Sequence, residues 1–405
     1  MRVILIGCGI AGAALSLTLQ RAGISHIVLE QASELSEIGA GLQQSPNSIR
    51  ILEYLGLKDE LARIGVPPQA HLFKDYKTGE VYLKTPLMPK VEEFFGAPYY
   101  HVHRADLLDV LVNAMDPDNI RLNSKVIDVT EHENGVEVRL SDGTTEKGDV
   151  LIGSDGLHSM VREAFFAPEK PRPSGCVAWR GLVPVKIAQD LGFEQNSYVW
   201  MGPHRSAVLY YVRGGDLFNW VGIGPYNDNA KESWSQTGSR DAALKEYDGW
   251  NDQIRELIAG TESLFMTNMI DREPLDSWVT DRVALMGDAA HAMMPYHAQG
   301  AGQSIEDAWV LGRCLEMAEG DIPAALKKYE GLRLARANRV LQQSRAAEHL
   351  FHMSDPEEMA RRNARFARHQ REDQDGFPAG QRWLYSYDAE KAVMGTDDEW
   401  RSLAW

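Results

Sequence analysis

The segment Gly7-Cys8-Gly9-Ile10-Ala11-Gly12 constrains this chain more than any other six residues. It matches G-x-G-x-x-G, follows the apolar run Val3 to Ile6, and opens a helix-patterned stretch, Ala13 to Ala22, that stops at Gly23. A second apolar run, His26 to Glu30, completes a βαβ unit, so a parallel sheet is predicted. In such a unit the backbone N–H groups and the helix N-terminus face a pyrophosphate. Glu30 lies eighteen residues after Gly12, where a carboxylate takes both hydroxyls of an adenosine ribose. An acid there, in place of an arginine, disfavours a 2′-phosphate, which points to FAD or NAD and away from NADP. A glycine turn selected only for tight helix–sheet packing is the competing explanation, and Glu30 weighs against it.

Val3 to Leu19 carries no charge and follows Arg2, so a signal peptide competes with this reading. Three glycines interrupt the run, and it falls short of the roughly 20 residues of a spanning helix. Elsewhere the chain reads as an ordinary globular protein of 405 residues, enough for two to three structural units. Its formal charge of −16 repels phosphate backbones and anionic membranes, so neither nucleic acid nor membrane is an expected partner. Cys8, Cys176 and Cys314 are far apart and form no CxxC pair, which excludes a disulfide framework and a zinc ribbon. A reducing, cytoplasmic setting and no metal are expected.

The fold class predicted is α/β with α+β character. Helices are expected over Asn47 to Leu57 and Arg104 to Met115. Between Arg121 and Ile152, alternating segments separated by Asn134-Gly135 and Asp142-Gly143 read as a β-meander that includes Asp149 to Gly153. Residues 171–275 are rich in aromatic and β-branched side chains and read as a separate antiparallel sheet. The chain then returns to a buried strand, Val283 to Met286, and a long helical stretch from about Gly302 to Ala347. The Rossmann-like domain is therefore expected to be discontinuous, 1–170 plus 276–350, followed by a C-terminal helical tail, 351–405. Asp355 to Asp375, dense in charge, reads as a solvated helix.

Three more segments carry a resemblance. They are GSDGLHSMVR (Gly153 to Arg162), ALMGDAAHAMMPYHAQGAGQSIEDA (Ala284 to Ala308) and HVHRADL (His101 to Leu107). With Gly7, Gly9, Gly12 and Glu30 they make the chain resemble the single-component, group A FAD-dependent aromatic hydroxylases from Met1 to about Ala347. WLYSYDAE, Trp383 to Glu390, resembles the salicylate hydroxylase branch. The resemblance implies that residues 1–170 and 276–350 bind FAD and 171–275 the substrate. It implies that Asp155 touches FAD and the visiting nicotinamide, that Asp288 holds the ribityl chain, and that Pro295, Gly300, Ala301 and Gly302 line the isoalloxazine. Arg104 would meet the flavin side, Val126 the adenine, and Gln43 a place near the isoalloxazine where some relatives carry histidine. Independently, glycines at 300 and 302 allow close backbone approach, and a helix entrance there favours negative charge on a reduced flavin.

The implied reaction is a cycle. NADH or NADPH reduces FAD, dioxygen adds to give a flavin C4a-hydroperoxide, and its distal OH passes to an electron-rich aromatic ring, with or without loss of carboxylate. Homodimerisation is implied by resemblance alone. Such transfer needs a phenolate-like ring in a site closed to water, hence a base or a cationic clamp. Arg180, Tyr210 or Tyr211, His297 and Gln43 are the candidates, with Tyr211 and not Tyr210 carried forward. Adjacent strand residues point to opposite faces, so at most one of the two tyrosines reaches a substrate. Arg205 and Arg213 are weaker candidates for a carboxylate clamp, and His291 is expected one layer behind the site. The competing functions are an NAD-dependent dehydrogenase, which leaves the Asp288 and Asp155 segments without a role, a related flavoenzyme that dearomatises or epoxidises a larger substrate, and a non-enzymatic dinucleotide sensor.

Overall fold

The computed structural model describes all residues except 36–39, 168, 226–235, 373–375, 397–402 and 404–405. A five-stranded parallel sheet runs in the order Val283–Leu285, Val150–Gly153, Arg2–Ile6, Ser25–Leu29, Ile120–Arg121. Its central strands are near-continuous apolar runs because both faces are covered. Helices Ile10–Arg21 and Gly300–Glu316 pack closely, since a Cβ on Gly312 would overlap the Thr18 side chain.

The meander is shorter than expected. Val126–His132, Gly135–Leu140 and Thr145–Gly148 form a three-stranded antiparallel sheet. Val150–Gly153 instead joins the parallel sheet beside Arg2–Ile6, with Val3 opposite Val150. Its four residues are all buried, a pattern that suits a covered strand better than a meander edge.

The middle sheet has eight strands, in the order Gln236–Thr237, Leu264–Asp271, Arg172–Pro184, Leu217–Pro225, Arg205–Val212, Ser197–Gly202, Ala70–Asp75, Val81–Pro86. The last two come from the stretch assigned by sequence to the first domain, and Ala70–Asp75 pairs parallel to Ser197–Gly202. Nothing local announces a pairing between segments more than a hundred residues apart. Helices Arg240–Glu246 and Asp252–Ala259 accompany one face, whose core holds Trp179, Trp200, Trp220, Tyr247 and Trp250.

A two-stranded ribbon, Gly41–Gln44 with Tyr100–His103, sets Gln43 opposite His101. Gly41 N–H donates to Asn219 Oδ1 at 2.8 Å and so ties the ribbon to the middle sheet. The C-terminal segment is not a detached tail. Trp383, Leu384, Tyr385 and Tyr387 are buried in the same core as the parallel sheet. Pro356–Glu372 is charged and largely exposed as expected, yet it buries Arg362 and Phe366. Among the described residues, no helix is long and apolar enough to cross a membrane.

Candidate active site

Each glycine of the first turn has a distinct physical reason. Gly7 has φ +96°, and a Cβ there would lie 2.6 Å from the Ser154 carbonyl oxygen. A Cβ on Gly12 would overlap the Gly7 oxygen, whereas one on Gly9 meets nothing within 4 Å. The first and third glycines close the turn, and the second opens it to a ligand. Gly9 caps helix Ile10–Arg21 with no side-chain acceptor and no acid in the first turn, so the helix end keeps its positive potential. Glu30 Oε2 accepts Cys8 N–H and Oε1 accepts Ala32 N–H, each at 2.8 Å, which fixes the carboxylate beside the loop. Val126, half-buried, starts the neighbouring antiparallel sheet.

The second wall follows strand Val283–Leu285. Asp288 is exposed at the first position of helix Asp288–His291 and does not cap it. The step before it is braced from below, because Gly287 N–H donates to Asp307 Oδ2 at 2.9 Å, and the same oxygen lies 2.6 Å from His291 Nε2. Asp307 in turn accepts from Arg333 Nε at 2.8 Å. Glu306 bridges Arg333 and Arg336, all fully or almost fully buried. Burial alone would raise the Glu306 carboxyl, but the guanidiniums of Arg336 and Arg333 hold it below its ordinary value. Two buried acids facing two buried arginines leave the cluster neutral.

Asp155 serves its own turn. Its oxygens accept from Ser159 Oγ at 2.5 Å and Met160 N–H at 2.8 Å, while burial raises its carboxyl. Arg162, fully buried, donates to the Ala290 carbonyl at 2.9 Å and to Glu169 at 2.8 Å, joining this turn to helix Asp288–His291.

The third wall is where ribbon and middle sheet meet. Tyr99 Oη donates to Gln43 Oε1 at 2.5 Å; burial raises the Tyr210 pKa, and the neighbouring Gln43 amide opposes that shift. Tyr210 stacks on His101 with ring centroids 4.4 Å apart. Arg180 reaches Thr267 Oγ1 with Nε at 3.3 Å, and no carboxylate pairs with it among the described residues. Burial lowers its pKa; the Tyr210 hydroxyl opposes the shift, and the Arg104 charge adds to it. Arg104 is likewise lowered by burial and supported by Asp288. Asp288, Arg104, Arg180 and Tyr210 therefore form one electrostatically connected series. Helix Gly300–Glu316 begins without a side-chain cap or an acid in its first turn, and a Cβ on Gly300 would meet nothing within 4 Å. His297, in the turn Pro295–His297, is pushed down by burial to about 4 and is neutral near pH 7.

The residues that define the FAD binding domain family match the chain over 1–344. The chain belongs to that family. It is 34% identical over 387 residues to 3-amino-4-hydroxybenzoate 2-monooxygenase of Streptomyces cremeus, covering 95% of both chains. It is 36% identical over 362 residues to 3-hydroxybenzoate 6-hydroxylase 1 of Aquipseudomonas alcaligenes, covering 86% of this chain and 89% of that one. Its fold is similar to a salicylate hydroxylase substrate complex, with TM-score 0.83, 25% identity and 97% of each chain covered. Klebsiella pneumoniae HpxO complexed with FAD and uric acid gives TM-score 0.80 and 27% identity, over all of this chain and 97% of that one. The protein is a group A flavoprotein monooxygenase with FAD as its cofactor and NADH or NADPH as the co-substrate usual for such enzymes.

The site of this flavoprotein fits FAD. The open Cβ positions of Gly9 and Gly300 leave two surfaces that a planar or phosphate-bearing ligand can approach, and Glu30 and exposed Asp288 supply acceptors for its hydroxyls. One expected site residue is misplaced. The Tyr211 hydroxyl donates to the Phe193 carbonyl at 2.5 Å, and its ring packs edge-on against Phe218 in the tryptophan-rich core. Strand alternation turns Tyr210 toward His101 and Tyr211 into the opposite core. Arg213 pairs with Asp106 at 2.7 Å and Arg205 with Glu246 at 3.1 Å, so neither is set up as a carboxylate clamp. Sequence reasoning passed over Tyr99, His101, Asn219 and Asp307. Only Asp307 left a signal, as one of two adjacent acids beside the apolar run Ala308 to Leu311.

Proposed function

We propose that this flavoprotein inserts one oxygen atom from dioxygen into a phenolic or hydroxy-aromatic acid at the expense of NADH or NADPH. The balance is Ar–H + O2 + NAD(P)H + H⁺ → Ar–OH + NAD(P)⁺ + H2O. The observation that carries the reading is Arg180, half-buried, bonded to Thr267 and to no carboxylate among the described residues, with a second cation, Arg104, as its charged neighbour. A carboxylate or phenolate beside it supplies the missing negative charge. The S. cremeus and A. alcaligenes relatives, named for aminohydroxybenzoate and hydroxybenzoate, support the same class.

FAD supplies electron transfer and oxygen activation; the chain supplies the rest. Glu30, Asp288 and the two glycine-bearing helix ends orient the cofactor. Arg180 holds the substrate's anionic group. The Gln43 carbonyl accepts from Tyr99, so the Gln43 N–H is the group that faces Tyr210, and the Tyr210 proton is assigned to the oxygen of the ring hydroxyl. That bond, donated by Tyr210 and accepted by the ring oxygen, favours the phenolate-like form, which is rich enough in electrons to be attacked. The reading includes a cytoplasmic enzyme, in keeping with three free thiols, and a homodimer to be checked by sedimentation.

The test is nicotinamide oxidation by the FAD-loaded protein across hydroxybenzoates, hydroxynicotinates and neutral phenols, with product masses recorded. An acid that stimulates oxidation and gains one oxygen, with or without loss of CO2, is the expected result. Equal stimulation by neutral phenols and their acids would overturn the role given to Arg180.

A further inference from the structure

Outside the active site, Cys176, Glu348 and His352 converge. They meet where the irregular part of strand Arg172–Pro184, between Pro173 and Val177, faces the C-terminal end of helix Ile322–His352. One potential ligand atom from each lies within 4.8 Å of the other two. Cys176 Sγ is 3.5 Å from Glu348 Oε1. Glu348 and His352 are one helical turn apart and share a face. All three side chains are half-buried, so an ion can enter.

Two neighbours are arranged as supports. Ser206 Oγ lies 3.0 Å from His352 Nε2 and fixes the ring, as outer partners of ligating histidines do. Tyr296 is only 9% exposed, yet its hydroxyl has no hydrogen-bond partner among the described residues. Its ring lies 5.6 Å from the His352 ring, edge-on, and its hydroxyl is within electrostatic range of Glu348 and Cys176. A buried orphan hydroxyl beside three donors of mixed type calls for a partner that the protein itself does not supply.

We propose that Cys176, Glu348 and His352 form a three-ligand site for a zinc-type divalent cation, completed by a water that the Tyr296 hydroxyl hydrogen-bonds. One sulfur, one imidazole nitrogen and one carboxylate oxygen form a borderline donor set. Magnesium and calcium prefer all-oxygen sites, and copper(I) prefers sulfur-rich ones. The ion joins a middle-sheet strand to the long helix beside the turn Pro295–His297, so its effect is to clamp these elements together. The sequence contains no metal motif because 172 residues separate Cys176 from Glu348. The inference is independent of the substrate assigned above.

Cobalt(II) is the probe, added to the FAD-loaded protein and followed by difference absorbance. The expected result is one Co²⁺ per chain with a near-ultraviolet thiolate-to-cobalt band, bleached by added Zn²⁺. Cys176→Ser should remove the band and His352→Ala should weaken binding at least tenfold, both with FAD content and circular dichroism retained. Zn²⁺ should raise the melting temperature of the parent protein and not of either variant. No stoichiometric band in the parent protein would overturn the proposal, whatever the variants do. A band surviving in Cys176→Ser would assign it to Cys8 or Cys314 and overturn it equally.

Discussion

The backbone N–H of Gly287 donates to the Asp307 carboxylate at 2.9 Å, so the residue that orients the Gly-Asp step sits twenty positions later, in a different helix. Asp307 also accepts from Arg333, both fully buried. Asp307→Asn therefore leaves Arg333 short of a charge partner, and should cost about 3–5 kcal/mol of stability together with weaker FAD binding. Asp288→Ala, at an exposed position, should weaken FAD binding without that loss. Urea melts paired with FAD dissociation constants separate the two. Equal melting of both variants would refute the bracing role.

The glycine loop offers a similar contrast. Gly9→Val should leave the apo-protein folded and weaken FAD by tenfold or more, about 1.4 kcal/mol, because its side chain enters open space on the ligand side. Gly12→Ala forces a Cβ onto the Gly7 carbonyl oxygen and should lower stability before it affects affinity. Calorimetry of the apo-proteins checks both. An unchanged FAD affinity in Gly9→Val would remove this loop from the cofactor site.

For Arg180→Met, kcat/KM on an aromatic acid should fall by about 1.5–3 kcal/mol, the cost of a lost hydrogen bond to a charged group. Turnover of a neutral phenol should change little. Steady-state kinetics on a matched acid and phenol pair decides, and an equal loss on both would mean that Arg180 supports the fold and not the carboxylate.

The two adjacent tyrosines should respond in opposite ways. Tyr210→Phe removes the hydroxyl proposed to meet the substrate and should lower kcat/KM with stability nearly unchanged. Tyr211→Phe orphans the Phe193 carbonyl and should cost about 1 kcal/mol of stability with activity intact. If Tyr211→Phe is the slower enzyme, strand Arg205–Val212 turns its other face to the site and the assignment of Tyr210 falls.

Burial lowers His71 to about 4 and drives His101 well below its ordinary value. A folded-state pKa below the unfolded 6.5 means that the unfolded chain takes up the proton first. Stability is then full above about pH 6.5 and declines as pH falls toward 4. Denaturant melts between pH 7 and 4.5 should show this slope, and His71→Leu should reduce it by about 1.4 kcal/mol per pH unit. Parallel slopes for the two proteins would contradict a neutral His71.

The βαβ start, the glycine turn with Glu30, the strand before Asp288 and helix Arg104–Ala114 were all legible in the sequence. Each rests on neighbours within one or two turns of chain: a positive φ at Gly7, an apolar period, a Gly-Asp step. Tertiary structure alone decided which sheet each strand joined. Val150–Gly153 looks like the third meander strand until the parallel sheet covers both its faces, and Ala70–Pro86 carries no mark of its partner at Ser197–Gly202. The wall proposed for the substrate was hidden for the same reason. Gln43 and His101 meet only through the ribbon, Tyr210 only through the middle sheet, and strand register selected Tyr210 over the identical residue beside it. Local backbone chemistry is written in adjacent residues, whereas a site assembled across hundreds of residues depends on pairing energies that no single segment contains.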